Sequence, residues 1–204
     1  RHHYPLGHSY SKQEKEQILA LAKLYDVYIV EDDYLGDYDP HFSPSFHYLD
    51  ASDRVIYIKS FSTSLFSALR ITSMVLPQGL LAPVLKLKGT LDYESNLVMQ
   101  KALSLYIDNG MFAKNKGLLH QQQAIQTEQA TSLLYQHSLP IPAWPVIGGV
   151  LLDLRQVSSI ARLKHSGLPL RFFEPAYIQT CPYAFARIEQ DKLEEVLGKI
   201  QAYL

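Results

Sequence analysis

Apolar positions change their spacing several times along the chain, and each change marks an element. Ser11-Lys12-Gln13-Glu14 has the Ser-x-x-Glu form in which serine and glutamate side chains satisfy each other's backbone N–H groups. Behind it Ile18, Leu21, Ala22 and Tyr25 return at helical spacing, so a helix is predicted over about residues 11–25. Val27-Tyr28-Ile29-Val30 is a short continuous apolar run ending in Glu31-Asp32-Asp33, the pattern of a buried parallel strand with polar groups at its carboxyl end. Val55-Ile56-Tyr57-Ile58, ending in Lys59-Ser60, repeats that pattern. A further β-prone run, Ile71 to Leu76, is stopped by Pro77. The connections are too long for simple hairpins, which predicts part of a mostly parallel α/β sheet.

Helical patterning resumes from about Asn96 to Asn109, where Ala102, Leu103, Leu105 and Tyr106 share a face and Gly110 is placed to close the helix in a left-handed turn. The segment from Phe112 to His137 is rich in Gln, Leu, Ala and Lys and free of proline, which predicts a second long helix by intrinsic propensity. After Leu139-Pro140-Ile141-Pro142 the elements shorten. A strand is predicted over 150–154, a short helix near 158–165, strands near 170–173 and 183–188, and an amphipathic helix over 191–204. That order predicts a small α+β lobe. The expected organisation is therefore a large-domain part over 1–110, then a connecting helix and the small lobe over 111–204.

Composition narrows this picture. A chain of 204 residues, 47% of them apolar, can bury a core. With 19 basic and 20 acidic residues the formal charge is -1, which supplies no general attraction to nucleic acid or to an anionic membrane. The single cysteine, Cys181, rules out an internal disulfide framework and is expected to be a buried packing residue. No apolar run has the length of a membrane span or signal-peptide core, so a reducing cytoplasm is the expected setting.

Candidate chemistry gathers in two segments. Glu31-Asp32-Asp33-Tyr34 closes the first predicted strand, and open α/β sheets place ligands at the carboxyl ends of their strands. Taken alone, such acids are as readily helix caps or solvated loop residues. In the second segment Ser60, Ser62 and Thr63 precede Arg70, combining short hydroxyl donors with a guanidinium suited to a phosphate. The other reading is a self-capping loop and a surface ion pair. His2, His3 and His8 lie in a Pro/Gly loop without a cysteine or carboxylate partner, which makes a metal site unexpected.

Both segments resemble the fold-type I pyridoxal-phosphate (PLP) aminotransferases, and in particular the aminotransferase-like domain of MocR-type (GntR-family) transcriptional regulators. Ile29-Val30-Glu31-Asp32-Asp33-Tyr34 is similar to the family's I-E-D-D-Y stretch. Lys59-Ser60-Phe61-Ser62-Thr63-Ser64-Leu65 followed by Arg70 is similar to G-T-F-S-K-S-L…R, and the likeness continues through Ala68-Leu69-Arg70-Ile71 and Met74-Val75-Leu76-Pro77. The resemblance implies that Asp32 pairs with the pyridinium nitrogen of PLP, that Tyr34 donates to its phenolic oxygen, and that Ser60, Ser62 and Arg70 belong to its phosphate site. Thr63 stands where the family has the lysine that forms the Schiff base, and a hydroxyl cannot replace that amine. Lys59 takes a family glycine's place at the strand tip, and its side chain is expected to point elsewhere.

Two further likenesses extend the match over nearly the whole chain. Arg1-His2-His3-Tyr4-Pro5-Leu6-Gly7 is similar to S-H-Q-Y-P-T-G. Pro182-Tyr183-Ala184-Phe185-Ala186-Arg187 aligns with an R-L-G-F-A-like strand, with Pro182 in the place of the arginine that grips a substrate carboxylate; the clamp is lost unless Arg171 or Arg187 supplies it. Only the latter part of the family domain has counterparts here, and the winged helix-turn-helix has none, so this fragment itself is not expected to bind nucleic acid. The resemblance favours a catalytically degenerate module that binds an amino-acid-like or PLP-like effector, forms a homo-oligomer, or both. The alternatives are a working aminotransferase acting on an amino acid and a 2-oxo acid, and a purely structural dimerising remnant.

Overall fold

The Ser-x-x-Glu pattern forms as its spacing predicts. Ser11 Oγ accepts the Glu14 N–H at 3.2 Å and Glu14 Oε2 accepts the Ser11 N–H at 2.7 Å, starting helix α1, Lys12–Leu24. The computed structural model describes residues 1–3, 6–39, 43–91, 96–173 and 185–204. Contacts divide the chain into two units, Arg1 with His8–His120, and His2–Gly7 with Gln121–Leu204.

In the first unit, α1 turns its buried Leu19 onto Phe46 and Val55. Lys15 is buried on the same helix; Nζ donates to the Pro44 carbonyl at 2.6 Å and to Ser43 Oγ at 3.2 Å. Strand β1, Ile29–Asp32, begins two residues later than the apolar run, because the Val27 N–H still bonds back to the Ala22 carbonyl of α1 at 3.0 Å. It pairs in parallel with β2, Val55–Ser60, in the register Ile29↔Val55 to Asp32↔Ile58. Strand β3, Thr72–Val75, runs antiparallel to β2. The intervening chain turns back through a 3-10 turn at Ser67–Leu69 that ends in Arg70 with a left-handed φ of 51°, so no crossover helix is needed. Burial also differs from the expectation of a doubly covered strand: Glu31 is packed, while Val30 is 61% and Met74 51% exposed on the opposite face.

The short helix α2, Phe46–Leu49, lies beside β2. Helix α3, Gln78–Leu91, was not legible: Gly79, Pro83 and Gly89 interrupt it, and none of its residues is buried. Helix α4, Leu97–Asp108, is capped by Asn96 Oδ1, which accepts the N–H groups of Val98 and Met99. Gly110 follows with φ +72°, and helix α5, Met111–His137, then runs on into the second unit.

The second unit is built on an antiparallel sheet of β4 (Ala143–Val146), β5 (Gly149–Asp153), β6 (Arg171–Phe173) and β7 (Phe185–Glu189), in the order β4-β5-β7-β6. Strand β4 contains Pro145, which an edge strand tolerates. Short helix α6, Ile160–Lys164, and α7, Leu193–Ile200, contribute Leu163, Val196, Leu197 and Ile200 to a core completed by Val150, Leu152 and Ile188. At Gly149 a Cβ would stand 2.1 Å from the Ile188 carbonyl oxygen, so the β5–β7 approach requires glycine. The predicted last helix is shorter than 191–204, with 3-10 turns on both sides of α7. No helix among the described residues is long and apolar enough to cross a membrane.

Candidate functional site at the ends of two parallel strands

Three consecutive acids do three different things. Strand alternation sends Glu31 and Asp32 to opposite faces of the sheet. The Glu31 carboxylate accepts the N–H groups of Phe46 at 2.9 Å and His47 at 3.0 Å, and so caps α2. Asp33, wholly buried, binds the Arg1 guanidinium through two N–H groups and accepts the Tyr57 hydroxyl at 2.6 Å. Burial, reinforced by that hydrogen bond, pushes the Tyr57 phenol above its ordinary range. Asp32 alone is exposed, with no hydrogen bond or ion pair to any described residue.

The second segment meets the first at the same strand ends. Thr63 Oγ1 donates to the Tyr34 carbonyl at 2.6 Å, and the Tyr38 hydroxyl donates to the Thr63 carbonyl at 2.9 Å. Ser60 Oγ accepts the Ser62 N–H at 3.3 Å. The Ser60↔Thr72 pairing, extended by the Phe61 N–H to the Ile71 carbonyl at 3.1 Å, brings Arg70 back beside the Ser60–Ser62 turn. Arg70 is exposed and makes no hydrogen bond or ion pair with a described residue.

Sequence reading passed over Asp37, the hub beneath this loop. Its carboxylate, 6% exposed, pairs with Lys59 Nζ at 2.6 Å and Lys116 Nζ at 3.7 Å, and accepts the Ser64 hydroxyl. Asn115 Nδ2 donates to the Ser64 carbonyl at 2.7 Å, and the His120 ring nitrogen lies 2.9 Å from the Asp37 carbonyl oxygen. Lys59 thus points to a carboxylate twenty-two positions earlier in the chain, a partner that no local spacing announces. Burying one charge demands the other.

In the second unit Arg171 and Arg187 are direct cross-strand neighbours. Arg187 Nη2 donates to the Ile147 carbonyl and to Glu189, both at 3.0 Å, while Arg171 lies over the Phe173 ring at 5.5 Å. Cys181 and Pro182 lie outside the described residues. No group of three or more His, Cys, Asp or Glu among the described residues could hold a metal. The first unit also has cavities of about 710 and 260 Å³, the larger along β3, α3 and α4 and the smaller behind Leu65, Phe66 and Leu69. Neither is lined by Asp32, Tyr34, Thr63 or Arg70.

No family model matches the chain. It is 38% identical over 135 residues to the uncharacterized HTH-type transcriptional regulator YcxD of Bacillus subtilis (strain 168), covering 64% of this chain and 30% of that protein. It is 29% identical over 136 residues to the probable rhizopine catabolism regulatory protein MocR of Rhizobium meliloti, covering 66% of this chain and 28% of that one. The homologues are MocR/GntR-type regulators. The aminotransferase-like fold is equally plain in solved structures: the Pyrococcus horikoshii kynurenine aminotransferase superposes with a TM-score of 0.81 over 96% of this chain and 52% of that chain, at 20% identity. The matched stretches cover less than a third of either regulator's length, and the chain covers about half of the enzyme's.

Proposed function

We propose that the chain is a catalytically silent aminotransferase-like module of a MocR/GntR-type regulator, which binds a PLP-like or amino-acid-like effector without a covalent bond and self-associates. The observation that carries this reading is the state of the two side chains nearest to supplying a nucleophile. Thr63 has a hydroxyl, tied to the Tyr34 carbonyl, and the Lys59 ammonium is held by Asp37. Thr63 carries no amine at all, and the amine of Lys59 is engaged by Asp37.

The remaining groups fit a noncovalent hold. Asp32 and Arg70 are exposed and free of partners among the described residues, and the hydroxyl of Ser62 lies in the turn beside Arg70. Asp32 would face a ring nitrogen, Tyr34 a phenolic oxygen, and Ser60, Ser62 and Arg70 a phosphate. PLP, when bound, supplies an electron sink. The residues present would orient such a ligand without a covalent anchor at position 63.

Exposed apolar residues on the first unit's sheet support self-association, and the HTH-type names of the relatives support a DNA-binding region elsewhere in a complete regulator, working in the cytoplasm. The test is borohydride treatment in the presence of PLP followed by intact mass measurement. The expected result is an unchanged mass; a stable pyridoxyl adduct mapped to Lys59 or another single lysine would overturn the assignment.

A further inference from the structure

A carbonyl oxygen can only accept hydrogen bonds, so the contact between Thr63 Oγ1 and the Tyr34 carbonyl at 2.6 Å commits the one hydroxyl hydrogen that Thr63 owns. Thr63 is exposed, and what its oxygen can still offer a ligand is lone pairs. The backbone it touches belongs to Tyr34, two residues beyond the exposed carboxylate of Asp32, which has no partner among the described residues. This part of the strand-end site therefore presents acceptors, one of them charged. Lys59, which could have supplied a donor, is tied to Asp37 at 2.6 Å with its side chain only 12% exposed. The opposite chemistry lies beside the Ser60–Ser62 turn, where Arg70 presents a guanidinium without a partner among the described residues. A ligand complementary to this arrangement carries a ring nitrogen toward Asp32, an ammonium toward Thr63 and a phosphate toward Arg70.

We propose that the site selects the aminated form of a pyridine phosphate over the aldehyde form, with Thr63 accepting a hydrogen bond from the ligand's ammonium. The inference rests on the noncovalent effector reading and adds to it the chemical state of the ligand. An aldehyde oxygen is itself an acceptor and would meet an acceptor at Thr63. A protonated amine in the same place makes charge-assisted hydrogen bonds instead. Such bonds are strong enough to favour the amine by about tenfold or more.

The test is calorimetric titration of the chain with pyridoxamine phosphate, PLP, pyridoxine phosphate, inorganic phosphate and a free amino acid. Pyridoxamine phosphate should bind about tenfold or more tighter than PLP or pyridoxine phosphate. Inorganic phosphate and the free amino acid, which separate the anion's share from the ammonium's, should each bind more weakly still. Thr63→Ser keeps the oxygen and should keep the preference. Thr63→Val should abolish the preference while pyridine phosphates still bind through Arg70, and a thermal melt of each variant confirms that it is folded. Equal affinities in the unmodified chain, or a preference that survives Thr63→Val in the folded protein, would overturn the inference and leave the effector reading standing. Absence of binding by every pyridine phosphate would overturn both, as would a borohydride-stable PLP adduct.

Discussion

All five residues of β5 are buried, whereas all four residues of β3 are exposed. Both strands come from β-prone sequence, yet they sit in units that satisfy their apolar surface differently. Around β5 the second unit supplies its own cover: Val150, Leu152, Ile188, Val196, Leu197 and Ile200 are each 0% exposed. Around β3 the first unit leaves Met74 at 51%, Val75 at 43% and Val30 at 61%, and α3 buries nothing. One unit closes a core within the described chain. The other presents a three-stranded sheet with polar chemistry along its strand ends and apolar surface on its open face, the kind of surface that marks an interaction site.

The largest effect should come from attacking the closed core. Leu152→Ala removes a wholly buried side chain and should cost about 4 kcal/mol, while Met74→Ala on β3 should change stability by less than about 0.5 kcal/mol, both read from urea unfolding. Comparable losses at the two sites would show that β3 is covered in solution and would break the contrast.

Next in size is the hub of the first unit. Lys59→Met leaves the Asp37 carboxylate short of its nearest cation, and because Lys116 and Ser64 remain, the cost should fall near about 3 kcal/mol, the low end for a broken buried pair. The double variant with Asp37→Leu should recover most of that loss in the same assay. If the single variant is as stable as the parent, the pair is solvated and the floor of the strand-end site is not held by charge.

A smaller effect is expected on association. The chain should sediment as a concentration-dependent dimer or larger assembly, and Met74→Glu should weaken that assembly by about tenfold or more by placing a charge on the open face. A clean monomer at high concentration would end the proposal that this face self-associates.

The smallest effect concerns pH and lies in the second unit. Hydrogen bonds from the Arg155 guanidinium hold Asp153 below its ordinary 3.8 against the opposing push of burial, and the Arg155 N–H adds to them. A depressed carboxylate contributes stability that is present above pH 3.8 and is lost as pH falls through the lowered value. Asp153→Asn should therefore flatten the acid limb of the stability profile below about pH 4 and leave its neutral part with only a uniform offset. An unchanged acid limb would show that the Asp153–Arg155 contact does not persist in solution.

Local order was open to reading in the sequence wherever a short-range rule governs it. The Ser11 capping box, the Asn96 and Gly110 boundaries of α4, and the long α5 all depend on residues within one or two turns of each other, and they form where spacing places them. The two strand-end segments were legible for the same reason, as compact motifs at fixed spacing. Strand direction, burial and partner choice were not. The antiparallel run of β3 follows from the 61–71 turn, the open face of β1 and β3 from what packs on the sheet, and α3 from a segment whose Gly79, Pro83 and Gly89 hide any helical period. Glu31, Asp32 and Asp33 look alike in the sequence, but only the pleat and the positions of α2, Arg1 and Tyr57 make one a cap, one an ion-pair partner and one an exposed carboxylate. The sequence by itself determined that Thr63 cannot act as an amine, because that is a property of the side chain. Only the tertiary structure decided that its hydroxyl hydrogen is committed to the Tyr34 carbonyl and that Lys59 belongs to Asp37, because both partners lie more than twenty positions away and are brought near by the pairing of two strands.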